Sequence, residues 1–328
     1  ASMITERENA LRMLRHTNDA EWVPVVSECF DNLIPSAVFE RPKIGHDGED
    51  WFGCRWVFDP QTVGFAQDPR RPVPCSDITK WREQVTFPDL ESYDWAASAE
   101  RDLQNVDKEH RLLRMILESG PWERLHALIG FEEAFLAMYD EPEAFLELMQ
   151  ALTDHRIRLM RKLKEHYEPD IIFSMEDLGS RNASLMSPQM YREFIKPFQK
   201  QMIDECHRLE MYYEAHSCGK MDNLAGDLVE IGADILNPVQ NFNDQAFLAR
   251  TYGGKVAFDG GHDLCVNLPE TTEEEIRAGH IRINGEIAEL ESKLETEQEN
   301  GETLSQKQEE IRVRLTNEEQ RLQEKIQG

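Results

Sequence analysis

The sequence predicts an α/β fold, a TIM-type (β/α)8 barrel followed by a coiled-coil-like helical tail, and three observations carry that prediction. The 328 residues suffice for a barrel of roughly 250 residues with an appendage. Apolar strand-like runs alternate with helix-like segments at short spacing through the second half of the chain, the pattern of a parallel sheet. Each run ends in polar or reactive side chains, and parallel barrels keep their chemistry at the carboxyl ends of their strands.

Taken in order, residues 5 to 15 read as an amphipathic helix, and Glu21-Trp22-Val23-Pro24-Val25-Val26 as a first buried strand by its apolar, β-branched content. The segment from Asp50 to Phe58 alternates aromatic and small residues between turn formers, as a hairpin does. Glu141 to Glu165 spaces Phe145, Leu148, Met149, Leu152 and Met160 as one long helix. Asp170 to Met175 then reads as a strand ending in Glu176-Asp177, and Ser187-Pro188 opens a helix with serine as cap and proline at the first position. Further strands are expected at Met211 to Cys218, Ile235 to Gln240 and Val256 to Asp259, with a helix over Leu224 to Ile231.

The chain divides by composition near residue 276. Residues 1–276 form the barrel, whereas 277–328 are rich in Glu, Gln, Lys and Arg, with Ile287, Leu290, Leu294, Leu304, Ile311, Leu315 and Leu322 near heptad spacing. Asn300-Gly301 is the place for a turn if this tail folds into a hairpin, and pairing of tails between chains is the alternative.

A formal net charge of −27 repels phosphate backbones and anionic lipids, which argues against nucleic-acid and membrane-surface partners. No run approaches the roughly 20 apolar residues of a membrane span. Six cysteines scattered over the chain do not make a disulfide scaffold, and residues 1 to 14 lack the apolar core of a signal peptide. A cytoplasmic enzyme is the expectation.

The chemistry concentrates at His216-Ser217-Cys218-Gly219. Residues i and i+2 of a strand face the same way, so imidazole and thiolate point into one space, a pairing that suits zinc with an open position for substrate. Glu176 is the first candidate for a further ligand and Cys265 the second, against the alternative that His216 and Cys218 simply fill a barrel mouth. Glu176, Asp177 and Asp259 are candidate catalytic or ligand-orienting acids. Trp51 and Phe52 are candidates to wall an aromatic substrate pocket, although such clusters commonly belong to the core.

The run from Leu185-Met186-Ser187-Pro188 through Tyr191 to Pro197-Phe198, then His216-Ser217-Cys218-Gly219 and Gly232-Ala233-Asp234-Ile235-Leu236-Asn237, resembles the uroporphyrinogen decarboxylase superfamily in order and spacing. Similarity covers about residues 4 to 276. Decarboxylases of that superfamily carry an arginine-bearing motif after the first strand; the matching Ser27-Glu28-Cys29-Phe30-Asp31-Asn32 has two acids and no arginine. H-x-C-G is similar instead to the methyltransferase branch, and the resemblance implies zinc on His216 and Cys218 and a corrinoid (cobalamin) carried by a partner protein.

That branch either moves a methyl group from methoxylated small molecules to the corrinoid protein or passes the corrinoid methyl group to a thiol. The first is preferred here, since Glu176 would supply a carboxylate and the aromatics at 51 and 52 could hold a ring, with Tyr191, Asn237 and Gln240 as further substrate contacts. The thiol reaction, a decarboxylase-type lyase and a non-catalytic interaction module are the alternatives. Family members continue past the segment matching Glu273 to Ile276 into a last strand, where this chain has its tail, so the barrel is either closed or lacks its last strand.

Overall fold

The computed structural model describes residues 4–60 and 64–261. The chain divides between Asp263 and Leu264. The second unit, with Cys265 and the heptad-like segment, lies outside the described residues, as does the expected boundary near 276.

The described chain begins with α1 (Glu6–Leu14), capped by the Thr5 side chain, which accepts from the Glu8 amide at 3.1 Å. A single turn, α2 (Val26–Cys29), leads into β1 (Phe30–Leu33). An antiparallel meander follows, β2 (Gly48–Glu49), β3 (Arg55–Asp59) and β4 (Gly64–Gln67), then the short helices α3 (Trp81–Gln84) and α4 (Trp95–Asp102). The regular part is β5 (Leu112–Leu117), α5 (Pro121–Ile129), α6 (Phe131–Asp140), α7 (Pro142–Tyr167), β6 (Ile171–Met175), α8 (Pro188–Phe194), α9 (Lys196–Arg208), β7 (Tyr212–His216), α10 (Asp222–Glu230), β8 (Ile235–Asn237), α11 (Gln245–Tyr252) and β9 (Ala257–Phe258).

Two elements differ from the sequence reading. The expected strand at Glu21 to Val26 is not one: Val23 is 85% exposed and Val25 49%, Val26 alone of the three valines packs on the core, and the first strand starts at Phe30. The largely buried β5 is an addition; Arg114 interrupts its apolar run Leu-Leu-Arg-Met-Ile-Leu and hides it from a reading by hydrophobicity. The hairpin is present, with Asp50 to Cys54 as its turn. Asp50 is buried and accepts from the amides of Phe52 (2.8 Å) and Cys54 (3.1 Å) and from Trp56 Nε1 (2.7 Å), while Arg124 of α5 neutralises it.

The six strands β1-β5-β6-β7-β8-β9 pair in that order, each pair parallel, with helices in the crossovers. This is the arrangement of a TIM-type barrel. In a flat sheet β5 and β9 would stand four strand spacings, about 19 Å, apart. Yet Arg114 Nη1 of β5 lies 2.6 Å from Asp259 Oδ2, just past β9, and 2.9 Å from Glu214 Oε1 of β7. Only a sheet curled around its interior brings these three alternate strands together, as layers of barrel side chains do. Beneath that polar layer, Phe30, Leu112, Ile171, Ile235 and Ala257, at the strand starts, form one apolar cluster with Ala10 and Leu14 of α1. The helix thus stoppers the amino-terminal end of the barrel, each large side chain contributing about 1.5–3 kcal/mol by its burial.

Outside the sheet, Leu148, Leu152, Leu159 and Leu163 place the apolar face of α7 in the main core. Its His155 is 4% exposed, packs edge-on against Trp51 and Phe52, and donates from Nε2 to the Pro88 carbonyl at 3.0 Å. Burial lowers its pKa to about 4. Because the folded value lies below the unfolded 6.5, this histidine contributes stability at neutral pH that is lost as pH falls from about 6.5 through 4. His155→Gln is therefore expected to flatten the melting temperature between pH 4 and 6.5 relative to the parent, measured by thermal denaturation across that range.

Candidate metal centre at the carboxyl ends of β6 and β7

His216 is the last residue of β7 and pairs with Met175, the last of β6. The ladder runs a step further, Glu176 N donating to His216 O at 2.9 Å and Ser217 N to Asn237 O at 2.8 Å, so the residues just beyond both strands are held as firmly as the strands. The two loops that follow meet backbone to backbone. A Cβ on Gly179 would fall 2.8 Å from Cys218 O, and one on Gly219, whose φ is +93°, would fall 2.2 Å from the Gly179 carbonyl carbon. Only glycine permits that contact. Gly179→Ala is accordingly expected to destabilise the fold by about 1–3 kcal/mol and to lower metal affinity in the same variant, read by chemical denaturation and by competition with a chelating dye.

The contact brings three donors together: Asp177, His216 and Cys218, whose ligand atoms all lie within 4.8 Å of one another. Cys218 Sγ is 3.5 Å from His216 Nε2, which is 3.7 Å from Asp177 Oδ1. Asp177 Oδ1 also accepts the Cys218 amide at 2.7 Å. His216 Nδ1 faces the side-chain oxygen of Asn237 at 2.5 Å. An amide oxygen can only accept, so the ring proton sits on Nδ1 and Nε2 presents its lone pair to the cluster, the tautomer a metal needs. The Phe173 ring lies against the imidazole at 5.1 Å and fixes its tilt.

Burial, and after it the charges of Asp177 and Glu123, push the Cys218 thiol up to about 12. A divalent cation would reverse that balance, since a coordinating thiol is deprotonated outright. The cluster remains open on one side: the Asp177 side chain is 43% exposed and that of His216 11%.

The sequence candidates distribute as follows. His216 and Cys218 come together as expected. Glu176, expected as the third ligand, does not join them, and Asp177 takes that place. Consecutive residues at a strand end point to opposite sides, so only one of the pair can face His216. Glu176 instead turns onto α5, where its carboxyl occupies the space a Cβ on Gly120 would need and accepts the Trp122 amide at 3.3 Å. Burial, then the charge of Glu123, raises its pKa well above the carboxylate range. Asp259 is tied into the ion cluster with Arg114 and Glu214.

Tyr191, expected at the substrate, is fully buried and its hydroxyl donates to Gln199 Oε1 at 2.6 Å, which makes it a packing residue of α8 and α9. Asn237 orients His216, and Gln240 Oε1 accepts the Gly219 amide at 2.6 Å, so both brace the centre from beneath. Phe52 packs on Phe87 and His155, and Trp51 on Phe52, Tyr93 and His155. Both line a small cavity with Arg124 and Arg156. Cys265 lies outside the described residues.

The family model for uroporphyrinogen decarboxylase (URO-D) matches residues 98–286, more than half of the sequence. The chain belongs to the uroporphyrinogen decarboxylase family. A solved methyltransferase from Methanosarcina mazei shares its fold with a TM-score of 0.59 at 13% identity, over 79% of this chain and 83% of that one. No curated protein matches the sequence. Among the described residues, no helix is long and apolar enough to cross a membrane.

Proposed function

We propose that the protein is a zinc-dependent methyltransferase that moves a methyl group between a methoxylated small molecule and a corrinoid carried by a partner protein. The observation that carries the reading is the donor triangle of Cys218, His216 and Asp177. A tetrahedral zinc with S and N ligands at about 2.3 and 2.05 Å has an S···N edge of about 3.6 Å. The Cys218 to His216 separation is 3.5 Å. Three protein ligands of the S, N and O types with one face open make a catalytic rather than a structural site. Membership of the family and the fold shared with a methyltransferase from Methanosarcina mazei support the same class.

In this reading Cys218 and His216 hold the ion and Asp177 completes the set. Bound there, zinc supplies Lewis acidity to the oxygen that leaves the methyl carbon. The chain's own residues keep the site ready: Asn237 holds the proton of His216 on Nδ1, and Phe173 restricts the ring. The donor set contains a carboxylate, Asp177, and in this reading the methyl group comes from an oxygen-linked donor. The open face is on the side of the barrel mouth, where donor and partner must meet.

The test mixes the purified protein, loaded with zinc, with a reduced corrinoid protein and a panel of methoxylated aromatic compounds, and follows the visible spectrum of the corrinoid. The expected result is a zinc-dependent change to the methylated form with at least one donor. No change with any donor, together with a change when a thiol is offered to the methylated corrinoid, would move the assignment to the thiol reaction.

A further inference from the structure

Asp177, which the strand register turns toward the cluster, is braced there by α5. Of two adjacent acids, Glu176 turns away from the cluster and Asp177 turns toward it, and the first turn of α5 holds both. Glu123 Oε1 accepts the Asp177 amide at 2.9 Å, and Trp122 Nε1 donates to the Asp177 carbonyl at 3.2 Å. The backbone amide and carbonyl of this one residue are thus both fixed by neighbouring side chains of α5. The Trp122 amide meanwhile takes Glu176 Oε1, which keeps that acid in its own recess.

The clamp is itself braced. Arg41, in the loop after β1, bonds Glu123 Oε2 at 3.2 Å, donates to Ser119 Oγ, and lies 3.9 Å from the centroid of the Trp56 ring of β3. Trp122 is fully buried and Glu123 is 8% exposed, so neither is free to serve a surface role.

We propose that Trp122 and Glu123 are positioning residues of the metal centre, holding the backbone of Asp177 so that the carboxylate the strand register turns toward His216 and Cys218 stays there. The role rests on the reading of that cluster as a metal site. Glu123→Ala removes the amide acceptor; Glu123→Gln keeps an oxygen acceptor without the charge; Trp122→Phe keeps the ring and removes the N–H. Neither residue is hydrogen-bonded to a donor atom; the Glu123 charge also acts on Cys218, and Glu123→Gln, which removes that charge and keeps the acceptor, separates the two routes.

The experiment compares the whole protein and these variants by zinc affinity, by the visible spectrum after cobalt(II) substitution, and by amide exchange at Asp177 in the metal-free protein. Glu123→Ala is expected to weaken zinc roughly 10–100-fold and to change the cobalt spectrum, as loss of an outer partner of a ligand does. Glu123→Gln should recover binding to within about threefold, since the neutral acceptor keeps most of the hydrogen bond. Trp122→Phe should weaken zinc by about tenfold. Exchange at the Asp177 amide should quicken in Glu123→Ala without any metal present. Zinc affinity, cobalt spectrum and amide exchange all equal to the parent in Glu123→Ala would overturn the positioning role. A parent that binds no zinc would defeat the metal reading itself, with the exchange measurement still deciding whether α5 fixes Asp177.

Discussion

Cys218→Ala and His216→Ala are each expected to lower zinc-dependent methyl transfer by roughly 10³-fold or more while leaving the melting temperature within a few degrees of the parent. The loss follows from geometry. With one donor removed, the proposed zinc site would keep two protein donors where catalytic zinc sites use three, and its Lewis acidity would be lost. The small structural effect follows from position: both residues sit at the open end of the barrel, and neither fills the main core. Single-turnover spectra of the corrinoid partner measure the first quantity and differential scanning calorimetry the second. Variants that unfold would assign the pair a structural role, and variants that retain the rate would remove zinc from the reaction.

The other large effect is expected inside the barrel. Arg114 is 6% exposed and Glu214 fully buried; their contacts, together with Asp259 and Asn32 Oδ1 at 2.7 Å, form a polar layer above the apolar floor. Burial raises the Glu214 carboxyl well above its ordinary range, and Arg114 opposes that rise. Arg114→Met leaves the acids without their cation, and breaking a buried pair from one side costs about 3–5 kcal/mol. The melting temperature should fall by roughly 6–20 °C for a unit of this size. The sign with pH is fixed: a carboxyl whose folded pKa is raised is most favourable when protonated, so the deficit of Arg114→Met should shrink as pH falls and grow as pH rises. The paired variant Arg114→Met with Glu214→Leu should recover much of the loss, because an apolar replacement of the whole pair is often tolerated. A single Arg114→Met variant as stable as the parent at pH 8 would show that the layer contributes nothing to the barrel.

Much of the architecture is legible in local sequence because the elements that matter carry local signals. Ser187 caps α8, accepting the Met190 amide at 3.2 Å, and Pro188 occupies its first turn, as their order predicts. The strands β6, β7, β8 and β9 fall within their expected runs, since each is a short apolar stretch between turn residues. What failed locally failed for a tertiary reason. Val23 and Val25 look like a strand and are exposed, and Arg114 looks like an interruption yet belongs to a strand because Glu214 and Asp259 meet it inside the barrel.

The centre shows the same division. His216 and Cys218 are read from spacing, as two residues apart on one strand. Choosing between Glu176 and Asp177 needs the register of β6 against β7, which fixes the side to which each acid turns. Glu123 and Trp122 carry no motif at all, and their contact with Asp177 joins residues more than fifty positions apart. Asn237, expected from sequence as a substrate contact, lies with its side-chain oxygen 2.5 Å from His216 Nδ1, a contact between two strand ends that local sequence does not show.

The most direct test of the account is zinc content by elemental analysis of the parent, Asp177→Ala and Glu176→Gln, each loaded with zinc and dialysed against a weak chelator. The account predicts about one zinc per chain in the parent and in Glu176→Gln, and little in Asp177→Ala. Zinc lost from Glu176→Gln and kept by Asp177→Ala, or absent from the parent after loading, would contradict it.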